Sequence, residues 1–218
     1  MDLPPQSRGC MDLPPQSRGC MDLISYNVNG FPWIPSPIKD IVSWIVQTSS
    51  VAALQEIWTN HSAWSAAFAA HGWVFLRPAR EQHFASLFGS GLAVAWDPKR
   101  FSLQEARFYP FLASLDILLV RGWFQVELMA PSGKAVRIVN THMQAEIEVF
   151  TKRYSDVARK QQARQLFTSL KQQPSKPTLI VGDMGTDISA LDRIGHGVSL
   201  KSHRVFSDKT TLWSFQIG

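Results

Sequence analysis

Four short apolar runs in this 218-residue chain each finish on polar side chains, and that repeated ending constrains the fold more than any other feature. Leu23–Val28 carries Asn27 and runs into a turn at Gly30 and Pro32. Val51–Leu54 leads to Gln55-Glu56, Ala135–Asn140 to Thr141-His142, and Thr178–Val181 to Gly182-Asp183. Runs of this length bounded by turn residues read as buried strands. In layered α/β proteins the ends of several strands converge on one rim, where the side chains that follow them can meet. The pattern therefore predicts a rim that gathers Glu56, His142 and Asp183, with Asp208 expected at the same cavity.

Helical spacing fills the intervals. Pro37 precedes Ile38, Ile41, Val42 and Ile45, with Pro near the first turn. The Ala-rich segment Asn60–Ala70 stops at Gly72. A long helix is expected over Glu146–Leu170, with Ala163, Leu166, Phe167 and Leu170 on one face and Pro174 and Pro177 beyond it. Further strands are expected at Leu92–Trp96, Ile117–Leu128, Val198–Phe206 and Leu212–Ile217. The Pro131-Ser132-Gly133 turn joins Ile117–Leu128 to Ala135–Asn140 as a hairpin.

Composition sets the outer bounds. A hydrophobic fraction of 45% with 18% charged residues suits a soluble core, and residues 21–218 fit one domain. Met1–Cys10 is repeated as Met11–Cys20; residues 1–20 read as a disordered leader made by tandem duplication, with no apolar segment of the secretory kind. Both cysteines lie in it, so the domain has no disulfide framework and a cytoplasmic location is the expectation. No apolar run reaches the roughly 18–20 residues that span a bilayer. A net charge of +5 suits an anionic partner without naming it. A monomer is expected.

In order, Tyr26-Asn27-Val28-Asn29-Gly30, Leu54-Gln55-Glu56, Asn140-Thr141-His142-Met143-Gln144, Gly182-Asp183-Met184-Gly185, Arg193-Ile194-Gly195-His196 and Ser207-Asp208-Lys209 resemble the motifs of the endonuclease/exonuclease/phosphatase superfamily. Gln55-Glu56-Ile57-Trp58, Gly89-Ser90-Gly91-Leu92 and the Thr141–Glu146 stretch look most like its neutral sphingomyelinase branch. The resemblance runs from Met21 to the C-terminus. It implies an α/β fold, a two-sheet β-sandwich flanked by helices as in DNase I-like proteins, and a phosphodiesterase using Mg2+ or Mn2+. On that resemblance Glu56, Asn27 and Asp208 hold the metal, His142 donates to the phosphate, and Asp183 orients water or leaving group. Asn29 and Asn140 contact substrate, which is a sphingomyelin-like lipid or a nucleic acid.

Three positions depart from the family pattern. Gly185 stands where the Gly-Asp-x-Asn motif has its Asn, Gly195 where an Asp orients the general base, and Lys209 where that base is a His. A lysine near pKa 10.4 would have to fall about three units to serve as base at neutral pH. His196 and His203 are the other candidates. Acid–base catalysis contributes roughly 10²–10⁴-fold and one oxyanion-type donor roughly 10²–10³-fold. The sequence therefore points to an impaired phosphodiesterase. The alternatives are a non-catalytic phosphate- or nucleic-acid-binding pseudoenzyme on the same scaffold, or a decaying gene product. Trp33 and Trp58, which directly follow site motifs, are the aromatics to watch for contact with bases or lipid.

Overall fold

The computed structural model describes residues 21–30, 36–79, 88–114, 119–145 and 152–185, together with the strand backbones 201–205 and 212–217. The chain forms β1 (Leu23–Asn27), α1 (Ile38–Thr48), β2 (Val51–Gln55), α2 (His61–Ala70), β3 (Val74–Leu76), β4 (Ala93–Trp96) and β5 (Ser102–Pro110). It continues with β6 (Gly122–Met129), β7 (Ala135–His142), α3 (Lys152–Lys171), β8 (Thr178–Asp183), β9 (Lys201–Val205) and β10 (Leu212–Ile217). One sheet has the order β1-β2-β4-β3 and the other β5-β6-β7-β8-β10-β9.

Alternation along the strands builds four layers. In β2, Val51 and Ala53 face the second sheet, where they join Val94, Phe124, Val126, Ile138, Leu179 and Val181 in one core. Ala52 and Leu54 face the other way, onto Ile41, Val42 and Ile45 of α1 and Trp64 and Phe68 of α2. On the far side of the second sheet, Val139 and Ile180 pack beneath Ala163, Leu166, Phe167 and Leu170 of α3. The expected sandwich with outer helices is the observed one.

Each sheet contains one parallel pair joined by a helical crossover. β1 and β2 run parallel with Asn27 opposite Gln55, and β7 and β8 run parallel with His142 opposite Asp183. Parallel strands end at the same edge, so each crossover places two strand ends side by side. The inner faces also change character along their length. Leu23-Ser25-Asn27, Val51-Ala53-Gln55, Ile138-Asn140-His142 and Leu179-Val181-Asp183 pass from apolar to polar toward that edge.

The expected strand Ile117–Leu128 begins at Gly122 within the described residues; its hairpin with β7 is present, with Met129 opposite Ala135. β3 and β5 were not anticipated. β3 has only three residues, and β5 is a sheet-edge strand whose side chains are mostly exposed, Phe108 alone being buried. Of the long helix, the described part is Lys152–Lys171. The leader, Trp33, the start of that helix and the segments bearing Gly195, His196, Asp208 and Lys209 lie outside the described residues.

Candidate active site

Asn27 sits at the centre of the polar edge. Its Nδ2 donates to Glu56 Oε1 at 2.9 Å and to Asp183 Oδ2 at 3.2 Å, bridging the two sheets. The Asn29 N–H donates to Asn27 Oδ1 at 3.0 Å, which fixes the end of the amide that faces the carboxylates. Asp183 is oriented in turn by Gly185, whose N–H donates to Asp183 Oδ1 at 3.0 Å. Glu56 occupies a left-handed backbone conformation, φ 62°, immediately after β2. Such strain in a non-glycine residue persists only where the surroundings over-determine it. Here Gly30 packs so closely that a Cβ on it would stand 2.5 Å from the Glu56 carbonyl oxygen.

His142 approaches from β7, with Nε2 3.8 Å from Glu56 Oε1, beyond hydrogen-bonding distance. Burial, with the Arg121 charge second, holds its pKa well below the ordinary histidine range, so the ring is neutral near pH 7. Its Nδ1 is buried without a hydrogen-bond partner. Burial raises the Glu56 carboxyl; the Asn27 bond and the Arg121 charge pull it down, and Asp183 pushes it up again. Glu56 Oε2 is likewise buried and unpartnered. The Trp58 indole N–H lies close enough to lower that carboxyl, yet makes no bond of good geometry to it.

Two expectations change. Asn140, expected to contact substrate, is fully buried and ties the sheets together two residues deeper than His142. It accepts from Gln55 Nε2 at 2.7 Å and donates to the carbonyls of Leu54 at 2.8 Å and Ala93 at 2.9 Å. Trp58, watched as a ligand-facing aromatic, is 4% exposed. Its ring lies 6.2 Å from that of His142 and presses on Gly91, where a Cβ would meet it at 2.5 Å. It supports the histidine from below.

Arg121 was missed by sequence reasoning. It precedes β6, is 5% exposed, and its charge reaches both Glu56 and His142. An arginine before a glycine at a strand start carries no motif; only the pairing of Gly122 with His142 could have placed it. At Gly185, φ 58°, a Cβ would meet Gln144 O at 3.2 Å and Arg159 Cδ at 3.3 Å. Arg159 thus lies beside the position where the family's Asn is missing. His203 lies on β9 opposite Ser214.

The described residues contain no cluster of three or more His, Cys, Asp or Glu that could hold a metal. Glu56 and Asp183, held together by one amide, nevertheless fit Mg2+, which takes only one or two protein carboxylates and keeps several waters. The buried, unpartnered Glu56 oxygen is the observation that favours this fit.

This two-sheet sandwich, flanked by helices and with a polar end shared by both sheets, is a DNase I-like α/β fold. The chain belongs to the endonuclease/exonuclease/phosphatase family, whose model matches residues 24–210. Its fold is that of sphingomyelinase C from Streptomyces griseocarneus, with a TM-score of 0.69 and 18% identity over 91% of this chain and 84% of that one. D. rerio TDP2, solved with a single-strand DNA product, gives a TM-score of 0.69 at 14% identity, over 91% and 84% of the two chains. A beta toxin mutant from Staphylococcus aureus, solved with bound magnesium ions, gives 0.67 at 15%, over 83% and 71%. No curated protein matches the chain in sequence.

Proposed function

We propose that this chain is a divalent-metal phosphodiesterase whose turnover is severely weakened. The observation that carries this reading is the Asn27 amide joining Glu56 and Asp183 beside a neutral, buried His142. Glu56 and Asp183 would hold Mg2+ or Mn2+, and Asp208 is a further candidate ligand. The cation, when bound, neutralises charge on the phosphodiester. Asn27 keeps the two carboxylates together and Gly185 N–H orients Asp183. His142, neutral, donates one N–H to a phosphate oxygen while Arg121 adds fixed positive charge nearby. Asn29, exposed on the turn after β1, is the remaining candidate for substrate contact.

What the motifs no longer supply is the family's own group for taking the proton from water. Gly195 and Lys209 replace the oriented base, and Gly185 has no side chain to reach the phosphate. A lysine that stays charged serves as a phosphate-binding cation instead. The reading is tested by restoring Gly185→Asn, Gly195→Asp and Lys209→His together. Hydrolysis of bis-nitrophenyl phosphate, plasmid DNA and sphingomyelin is then followed with Mg2+ and with EDTA. An EDTA-sensitive gain of at least about 10²-fold is expected from the recovered base. A folded triple variant with no gain would refute the assignment.

The second reading, a non-catalytic phosphate or nucleic-acid binder on this scaffold, is favoured by the same three replacements. It predicts metal-dependent binding of a phosphodiester analogue without turnover above background.

A further inference from the structure

Gln144, two residues beyond His142, fixes where the site edge meets α3. Its N–H donates to Gln162 Oε1 at 2.8 Å, and its carbonyl accepts from Arg159 Nη1 at 2.9 Å. Residues 153–158 therefore lead up to this contact from the site side, covering roughly 9 Å of helix before Arg159 at about 1.5 Å per residue. There Tyr154 is 60% and Val157 46% exposed. Arg153, Lys160 and Arg164 are also exposed, and their steps of seven and four residues place them along one side of α3. None of the three forms an ion pair among the described residues.

A second element holds another apolar side chain outward at the same edge. Pro110, the last residue of β5, is opposite Gly122, which is opposite His142, so the loop after β5 starts two strands from the site. One side chain clamps this loop: Gln165 Nε2 donates to Pro110 O at 3.0 Å, and Gln165 Oε1 accepts from Leu112 N–H at 2.9 Å. Gln162 Nε2 adds a bond to Ala113 O at 2.6 Å. Phe111, between the clamped groups, is buried, while Leu112 is left 90% exposed. The exposure of Leu112 is fixed by hydrogen bonds on both sides of its neighbour.

We propose that Leu112, Tyr154 and Val157, flanked by Arg153, Lys160 and Arg164, seat the protein on an anionic phospholipid membrane with the site edge against the head groups. The substrate of the site is then a membrane phosphodiester lipid; this last step rests on the phosphodiesterase reading, whereas the docking surface does not. Apolar side chains beside cations that form no ion pair among the described residues are the composition that partitions into a lipid interface. A nucleic acid would use the cations and Tyr154, but Leu112 and Val157 have no ring to stack on a base.

The test is cosedimentation of the full chain with vesicles of phosphatidylcholine, alone or mixed with phosphatidylserine, in EDTA so that turnover plays no part. Binding to the phosphatidylserine vesicles, weakened by added salt, is expected. Leu112→Ser should weaken it roughly tenfold, and Lys160→Gln with Arg164→Gln roughly fivefold per cation removed. All these side chains are exposed, so circular dichroism melts should match the parent chain. The proposal is overturned if the parent chain does not bind, if Leu112→Ser binds as tightly as the parent, or if a single-stranded oligonucleotide displaces the chain while Leu112→Ser has no effect. If vesicles bind but the restored triple variant stays inactive, the phosphodiesterase reading fails and the docking surface stands.

Discussion

Asn27→Ala removes the amide that joins the two carboxylates and leaves both with one partner fewer. The two lost bonds, at 2.9 and 3.2 Å, each have a charged acceptor. Such bonds contribute about 1.5–3 kcal/mol apiece when shielded from water. Both are only partly buried, and halving for solvent screening leaves about 2 kcal/mol for the pair. For a domain of this size each kcal/mol shifts Tm by about 2–4 °C, so the variant should melt roughly 4–8 °C below the parent in EDTA. Mg2+ at about a hundred times its Kd adds about 2.7 kcal/mol to the parent, a rise of roughly 5–11 °C. It should narrow the gap between parent and variant, because the cation supplies the positive partner that the amide had provided. Glu56→Gln should abolish the Mg2+ response. Thermal melts followed by circular dichroism decide the matter. An Asn27→Ala melt equal to the parent's in EDTA, or a Glu56→Gln protein that responds to Mg2+ like the parent, refutes the reasoning.

Asn140→Ala, which strips the buried cross-sheet amide, should lower unfolding free energy by about 3 kcal/mol in urea titration; a loss under about 1 kcal/mol would contradict its structural role. Gly182→Ala should destabilise severely or abolish folding, since a Cβ there would sit 1.8 Å from Thr141 O at φ 134°, and a soluble variant with a parental melt would disprove the close packing. Glu127→Ala should cost about 3–5 kcal/mol by leaving buried Arg137 unpaired, measured again by urea titration. Burial alone would raise the Glu127 carboxyl, but its bonds to Lys176 and Arg137 hold it below the ordinary value near 4.5. Its stabilisation is thus full above that value and lost as pH falls through the depressed pKa, an acid lability that Glu127→Gln should flatten. His142 acts in the same direction at higher pH: stability begins to fall as pH drops below about 6.5, where the unfolded chain takes up the proton first.

The site was legible because its side chains follow apolar runs, and apolar runs are what a sequence shows best. Asn27, Glu56, His142 and Asp183 come together through two parallel pairings whose ends coincide. The misreading of Asn140 has a definite cause. It lies two residues from His142 and so shares its face of β7, but it sits one strand repeat, about 6.8 Å, further inside. Period-two alternation gives the face and says nothing of depth. β5 went unseen because an edge strand needs little apolar content, and Arg121 because its place in the site depends on a hairpin register that no local pattern encodes.

The Asn27 bridge also bears on how the family motifs are to be weighed. Asn27 donates across the gap to Asp183, while Gln55, which precedes Glu56 in the chain, clasps Asn140 from the facing sheet. These side chains fasten one half of the molecule to the other whether or not any phosphate is cleaved. A lineage released from selection for turnover would go on keeping them, since their loss loosens the whole body. Their survival certifies sound architecture first, and working chemistry only where the proton acceptor survives with them.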